Sequence, residues 1–143
     1  MAGKKSAGAS KLKVAQVREL VFSEAAAEDV EGLSKADLEW IAMQAIDFLD
    51  NRKPGRLSIR LENPELSAGL LAHRSVLEIL NDDMPFLVDS VVNALSKAGY
   101  DVYTVLHPVF MVTRSRTGKL AALLEKGAIT EGASRESYIH IQL

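Results

Sequence analysis

Apolar residues recur at helical spacing in the first third of the chain and at alternating spacing after residue 55. Val14, Val17, Leu20 and Val21 predict a first helix from about Lys11 to Glu28. Ser34 fits the N-cap of a second helix, and Asp37 at its N3 position favours the positive helix end. Leu38, Ile41, Ala42, Ala45, Phe48 and Leu49 form the apolar stripe of that helix, and Pro54-Gly55 ends it. Trp40 and Met43 lie off the stripe; core packing is the default for both, and contact with another element or subunit is the alternative.

Beyond residue 55, Arg56 to Leu61 alternates as a half-buried strand closed by Asn63-Pro64, and Val76 to Leu80 is a second strand. Asn81-Asp82-Asp83-Met84-Pro85 is a turn that opens a helix, since proline suits the first helical turn. Leu87, Val91, Ala94, Leu95 and Ala98 give that helix its buried stripe, and Gly99 supplies the left-handed residue that stops it. Tyr100 to Leu106 reads as a strand rich in β-branched and aromatic residues, bent at Pro108 and continued by Val109 to Thr113. Thr117-Gly118 is a hairpin tip, Lys119 to Lys126 fits strand or short helix equally, and residues 127–135 form a loop. Tyr138 to Leu143 is a final strand with Ile139, Ile141 and Leu143 on one face.

The order α-α-β, then β-α-β-β, then a last strand implies an α+β sandwich of ferredoxin-like type, with helices on one face of a mixed sheet and two strands parallel. Three segments follow: a flexible tail at 1–10, a helical N-terminal segment at 11–53, and an α+β domain at 54–143. An apolar strand on the last residue leaves the split β-α-β unit without its second helix and fourth strand. The domain is thus expected to be truncated at its C-terminal end, or covered there by another subunit, with self-association through the exposed last strand.

Composition narrows the function. Of 143 residues, 48% are hydrophobic, and 17 Lys and Arg against 19 Asp and Glu give a net charge of −2, without the basic excess of a nucleic-acid binder. A stretch at 1–13 whose charged residues are all lysines precedes an acidic one at 19–50, where Lys35 is the only base; a solvated helical face is the plain explanation, and an acidic docking surface is the alternative. The absence of cysteine excludes disulfides, thiolate metal sites and a cysteine nucleophile. With no signal peptide and no membrane span in the sequence, a soluble cytoplasmic protein is expected.

Motifs for chemistry are sparse. The glycines never fall in a G-x-G-x-x-G spacing, and Gly118-Lys119 lacks the rest of a phosphate-binding loop. His73, His107 and His140 have no local metal-ligand partner, although His107 and His140 lie on strands that could meet across the sheet. Ser90 and Ser137 show no base or oxyanion-hole motif. The one dense polar cluster is Asn81, Asp82, Asp83, Met84 and Pro85, with Asp89 one turn into the helix. It reads as helix capping, or as a small-ligand site in which backbone N–H groups receive an amino-acid carboxylate and Asp82 or Asp83 the ammonium.

The run His73 to Ser90, containing Asn-Asp-Asp-Met-Pro-Phe-Leu-Val-Asp-Ser, closely resembles the N-terminal region of the large bacterial NAD-specific glutamate dehydrogenases. The resemblance continues through Leu106-His107-Pro108-Val109, Arg114 ahead of Gly118, and Glu136-Ser137-Tyr138-Ile139-His140-Ile141, covering about residues 34–143. It implies an ACT-like domain, regulatory or structural, of the kind that binds amino acids at domain interfaces. The Asn81–Pro85 turn matches the place where ACT domains close over an effector. Phe86 stands where many effector-binding ACT domains have glycine, and a ring there obstructs a ligand's approach to the backbone.

The resemblance also implies a parent that oxidises L-glutamate to 2-oxoglutarate and ammonia, with NAD and the catalytic residues outside this segment and no cofactor within it. Expected partners are the rest of the parent or identical subunits, together with an amino-acid effector; no nucleic acid or membrane is implied. A free-standing ACT-like amino-acid sensor or assembly adaptor is the alternative. An RNA-binding ferredoxin-like domain, for which Tyr103 and Tyr138 would be the stacking residues, finds no support in the charge.

Overall fold

A computed structural model of the chain describes residues 14–125 and 130–143. The expected tail at 1–10, the start of the first helix, and residues 126–129, where the 119–126 segment ends and the 127–135 loop begins, lie outside the described residues. Helix α1 covers residues 14–23, followed by α2 (Ala27–Val30) and α3 (Lys35–Asp50). The expected single helix to Glu28 is broken because Ala26 is extended, which redirects the chain so that Ala25, Val30 and Leu33 pack against the core. Tertiary packing overrides the helix preference of the alanines here.

Ser34 and Asp37 form a complete capping box at the start of α3. The Asp37 carboxylate is buried and also accepts from the N–H groups of Leu70 and Leu71, so it ties α3 to the 3-10 turn Leu70–His73. Gly69 is required there: its φ is +93°, and a Cβ would lie 2.6 Å from Asp37 Oδ1.

The strands are β1 (Ser58–Glu62), β2 (Val76–Asp82), β3 (Thr104–Leu106), β4 (Val109–Arg114), β5 (Leu120–Leu124) and β6 (Ser134–Gln142), with α4 (Leu87–Lys97) between β2 and β3. They form one sheet in the order β1-β2-β6-β4-β5, with β3 beside β6 in line with β4. Every pairing is antiparallel. Since β2 and β3 both run antiparallel to β6, they are parallel to each other with β6 inserted between them. This is the split β-α-β arrangement of the ferredoxin type, and the α+β class and ACT-like character read from the sequence hold.

Two expectations about the layers are corrected. The final strand is no exposed edge: β6 is the central strand, flanked by β2 on one side and by β3 and β4 on the other, and it is buried on both faces. Nor do the helices share one face. Val17, Val21, Ile41, Ala45 and Leu49 pack on Val76, Leu80, Leu106, Phe110 and Tyr138, whereas α4 places Leu87, Val88, Val91 and Leu95 on Ile79, Ile139 and Ile141. Alternate side chains of β6 therefore serve two helical layers, and the segment 14–53 is one of the covers of the sheet.

Smaller differences have local causes. Ala94 and Ala98, expected in the buried stripe of α4, are exposed, and Val88 packs instead. The strand expected from Tyr100 begins only at Thr104, because Gln142, the last paired residue of β6, lies opposite Thr104. Residues Leu120–Leu124, ambiguous in sequence, are a strand because the Thr117-Gly118 hairpin lays them along β4.

Candidate functional site

Residues far apart in the chain converge at the end of the sheet where β2 finishes and β6 begins. Arg52, just beyond α3, is buried and places Nη1 2.8 Å from Glu136 Oε2 and 2.9 Å from Asp82 Oδ1. Its Nε donates to the Arg56 carbonyl, and its Nη2 is buried without a partner. Arg114 grips the other side of Glu136 in a fork and donates through Nη1 to the Gly118 carbonyl. Arg52 N–H donates to the same carbonyl, and a Cβ on Gly118 would overlap the Arg52 backbone, so the hairpin tip needs a glycine. Burial opposes the charge on Arg52, but hydrogen bonds and charge from Asp82 and Glu136 outweigh it and raise its pKa.

The opposite side of the Asn81–Pro85 turn engages a second set of groups. Ser137 Oγ donates to Asp83 Oδ1 at 2.7 Å and lies 3.1 Å from His107 Nε2. Because the single hydroxyl proton goes to Asp83, His107 Nε2 is the donor to Ser137. That order of proton sharing is the reverse of what activates a serine nucleophile, and Ser137 is fully buried. Burial pushes the His107 imidazole pKa down, with Asp83 acting in the other direction. Arg135 Nη2 lies 3.2 Å from the remaining Asp83 oxygen.

The turn residues singled out in the sequence are thus placed as follows. Asn81 and Asp82 are the end of β2, paired with Ser137 and Glu136. The Asp82 and Asp83 carboxylates are held by Arg52 and by Ser137 and Arg135, so neither stands ready as the ammonium receptor. Met84 and Pro85 are exposed. Phe86 occupies the left-handed region (φ 64°, ψ 9°) as N-cap of α4, and its ring is 77% exposed. The glycine found at this place in many ACT domains suits that backbone conformation; here a phenylalanine adopts it.

A second polar chain, missed in the sequence, runs along the α3 face of β6. Glu78 is buried beneath Arg60, whose Nη2 lies 2.9 Å from Glu78 Oε1, and it accepts a hydrogen bond from the Tyr138 hydroxyl. Arg60 also reaches Asp47 and the Gln44 carbonyl and lies over the Phe48 ring. Burial raises the pKa of Glu78 against the pull of Tyr138 and Arg60, and burial with the neighbouring Glu78 charge raises that of Tyr138. The signal was a charged residue in the apolar run Val76-Leu77-Glu78-Ile79-Leu80; Arg52 gave none. His107 and His140 do not meet, and among the described residues no group of three or more ligands is arranged to hold a metal. No helix among them is long and apolar enough to cross a membrane.

Two adjoining cavities of about 340 and 250 Å³ lie where the end of α1 meets β3 and β4. Leu20 and Glu24 line both, His107 and Asp29 line one, and Met111 and Arg135 line the other.

The family model for the ACT1 domain of glutamate dehydrogenase matches residues 17–143. An NAD-specific glutamate dehydrogenase of Pseudomonas aeruginosa is 29% identical over 126 residues, which is 87% of this chain and 8% of that protein. Another, from Halomonas elongata, is 27% identical over 125 residues, again 87% of this chain and 8% of the relative. The chain therefore spans about 8% of the length of these relatives. No solved structure matches it.

Proposed function

The chain belongs to the glutamate dehydrogenase ACT1-domain family, and from that premise we propose that it is the N-terminal regulatory and oligomerisation segment of an NAD-dependent glutamate dehydrogenase, itself non-catalytic. The parent would convert L-glutamate, NAD and water to 2-oxoglutarate, ammonia and NADH in the cytoplasm, with NAD bound outside this segment. The observation that carries the reading is the match over residues 17–143, within which the matched motifs converge. Arg114, Gly118, Glu136 and Asp82 brace one end of the sheet with Arg52, and Asp83, Ser137 and His107 brace its other face.

These contacts favour a rigid scaffold over a reactive centre, since the polar groups are committed to one another and Arg52, Glu136 and Ser137 are buried. Regulation would act through the surface around the Asn81–Pro85 turn. There an amino-acid effector would reach the backbone N–H groups at the start of α4 with its carboxylate past the Phe86 ring, which lies largely in solvent, now that Asp82 and Asp83 are engaged.

The test compares the intact parent with this chain in an assay of glutamate-dependent NADH formation. Activity in the parent and none in the chain is expected. A parent without the activity, or a chain that turns over alone, overturns the proposal. Titrating the chain with L-amino acids while following the amide resonances of residues 81–89 tests the effector part, which falls if none of them moves a resonance.

A further inference from the structure

The edge strand β1 carries an apolar face that its own fold leaves open. Leu57, Ile59 and Leu61 are 52%, 60% and 63% exposed. Ile59 and Leu61 pair with Ile79 and Leu77, so they extend the floor on which α4 rests beyond the reach of that helix. No described strand pairs with the outer side of β1. Exposed edges are ordinarily blunted by charge or proline. Here the one charge at the centre of the strand, Arg60, is turned inward onto Glu78 and Asp47.

We propose that β1 pairs with β1 of a second copy of the chain, antiparallel about a two-fold axis at Ile59, to make one continuous sheet. The register follows from the side chains. Antiparallel partners point to the same face, so only registers that set odd residues opposite odd ones keep both apolar rows together. A two-fold at Arg60 would oppose two arginines and leave Leu57 against Asn63. A two-fold at Ser58 would set Arg56 against Arg60 and leave Leu61 without an apolar partner.

With the axis at Ile59, Ile59 meets its own copy and each Leu57 meets the other copy's Leu61. On the other face Ser58 meets Arg60, and Arg56 meets Glu62 twice. Arg56 is exposed and makes no ion pair among the described residues, and the one ion pair of Glu62 among them is with Arg60, at 3.8 Å. Charge complementarity and apolar pairing thus select the same register, and a second copy supplies both. The inference rests on the assembly part of the reading above. Its readouts are independent of the enzyme assay, so either can fail alone.

The chain has no cysteine, so a single introduced one reports a single contact. Under mild oxidation Ile59→Cys is expected to give a covalent dimer, whereas Tyr100→Cys, also exposed, is expected to remain mostly uncrosslinked. Light scattering is expected to show a concentration-dependent dimer for the unmodified chain. Arg56→Glu or Glu62→Arg alone should weaken it about tenfold, and the two together should restore it. A single-chain mass even at about 1 mM overturns the proposal. So does a dimer indifferent to both charge changes, or cross-linking that is no better at residue 59 than at residue 100.

Discussion

Gln142 donates from its side-chain amide to His140 Nε2 at 2.9 Å, deep in the α3 face of β6. The direction of that bond is set from outside the pair. Arg74 Nη1 donates to Gln142 Oε1 at 2.7 Å, so the amide oxygen faces Arg74 and the NH2 group faces His140. His140 Nε2 is therefore an acceptor, and the imidazole proton resides on Nδ1, which is buried without a partner. Protonating Nε2 would set two donors against each other in a site already closed to water.

This pair carries a pH dependence. Burial lowers the His140 pKa from 6.5 to about 3. Between those values the unfolded chain binds a proton that the folded chain does not, so acid favours unfolding. The contribution is complete above pH 6.5 and is lost as pH falls towards 3, by up to about 1.4 kcal/mol per pH unit. Glu78 works in the opposite sense, because its raised pKa returns stability as the carboxyl is protonated. Urea unfolding at pH 7.5 and 5.5 should show a clear loss for the unmodified chain and a smaller one for His140→Gln. Equal losses in the two proteins would refute the assignment.

Phe86 holds a left-handed backbone with an exposed ring, so strain there is offset by little packing. Phe86→Gly is expected to raise stability by about 0.5–1 kcal/mol despite the extra freedom of glycine in the unfolded chain. Phe86→Ala keeps the strain and should bring no such gain. Thermal unfolding of the two variants decides the matter: a Phe86→Gly protein less stable than the parent chain would mean that the ring makes contacts worth more than the strain.

Local features were legible in the sequence where their causes are local. The Ser34 N-cap with Asp37 at N3, the Ile41, Ala42, Ala45 and Leu49 part of the α3 stripe and the left-handed Gly99 depend on neighbours within a few residues, and all are present. The central place of β6 was not legible. Its partners on β2 lie about 60 residues earlier in the chain, and its α3 face carries Glu136, Tyr138, His140 and Gln142. By alternation alone such a strand has one wet face. What dries that face is a set of arginines reaching in from other elements, Arg52 and Arg114 to Glu136, Arg74 to Gln142, and Arg60 to Glu78, the partner of Tyr138. The motif resemblance did mark Asp82, Arg114, Gly118 and Glu136, but their convergence depends on pairings that spacing does not encode.

Gly69 and Asp37 are in steric contact as well as joined through the turn they build. Gly69→Ala puts a Cβ 2.6 Å from the Asp37 carboxylate at a φ of +93°, and a loss of about 2–4 kcal/mol is expected. Part of that loss is the collision and part the backbone. In an Asp37→Ala background the collision is absent, so the same change should cost measurably less. A double-mutant cycle by denaturant unfolding separates the two, and strict additivity would show that the carboxylate is not the obstacle.

The buried Arg52–Glu136–Arg114 group yields an ordering of variants. Glu136 lies between two guanidiniums and, among the described residues, is the buried acid paired with Arg52, Asp82 being largely solvent-facing. Glu136→Gln keeps the shape but leaves both arginines short of a counter-charge in a site they cannot leave; a loss of about 3–5 kcal/mol is expected. Arg52→Met is the milder change, because Glu136 keeps its fork from Arg114 and Asp82 turns to water. Its loss should be about 1–3 kcal/mol, part of it from the unpaired Arg56 carbonyl. Urea unfolding free energies of the two variants test the ordering. If Arg52→Met proves the more damaging, Arg52 acts chiefly through its Nε bond to the Arg56 carbonyl, since its backbone N–H bond to Gly118 survives the change, and Glu136 is held by Arg114 alone.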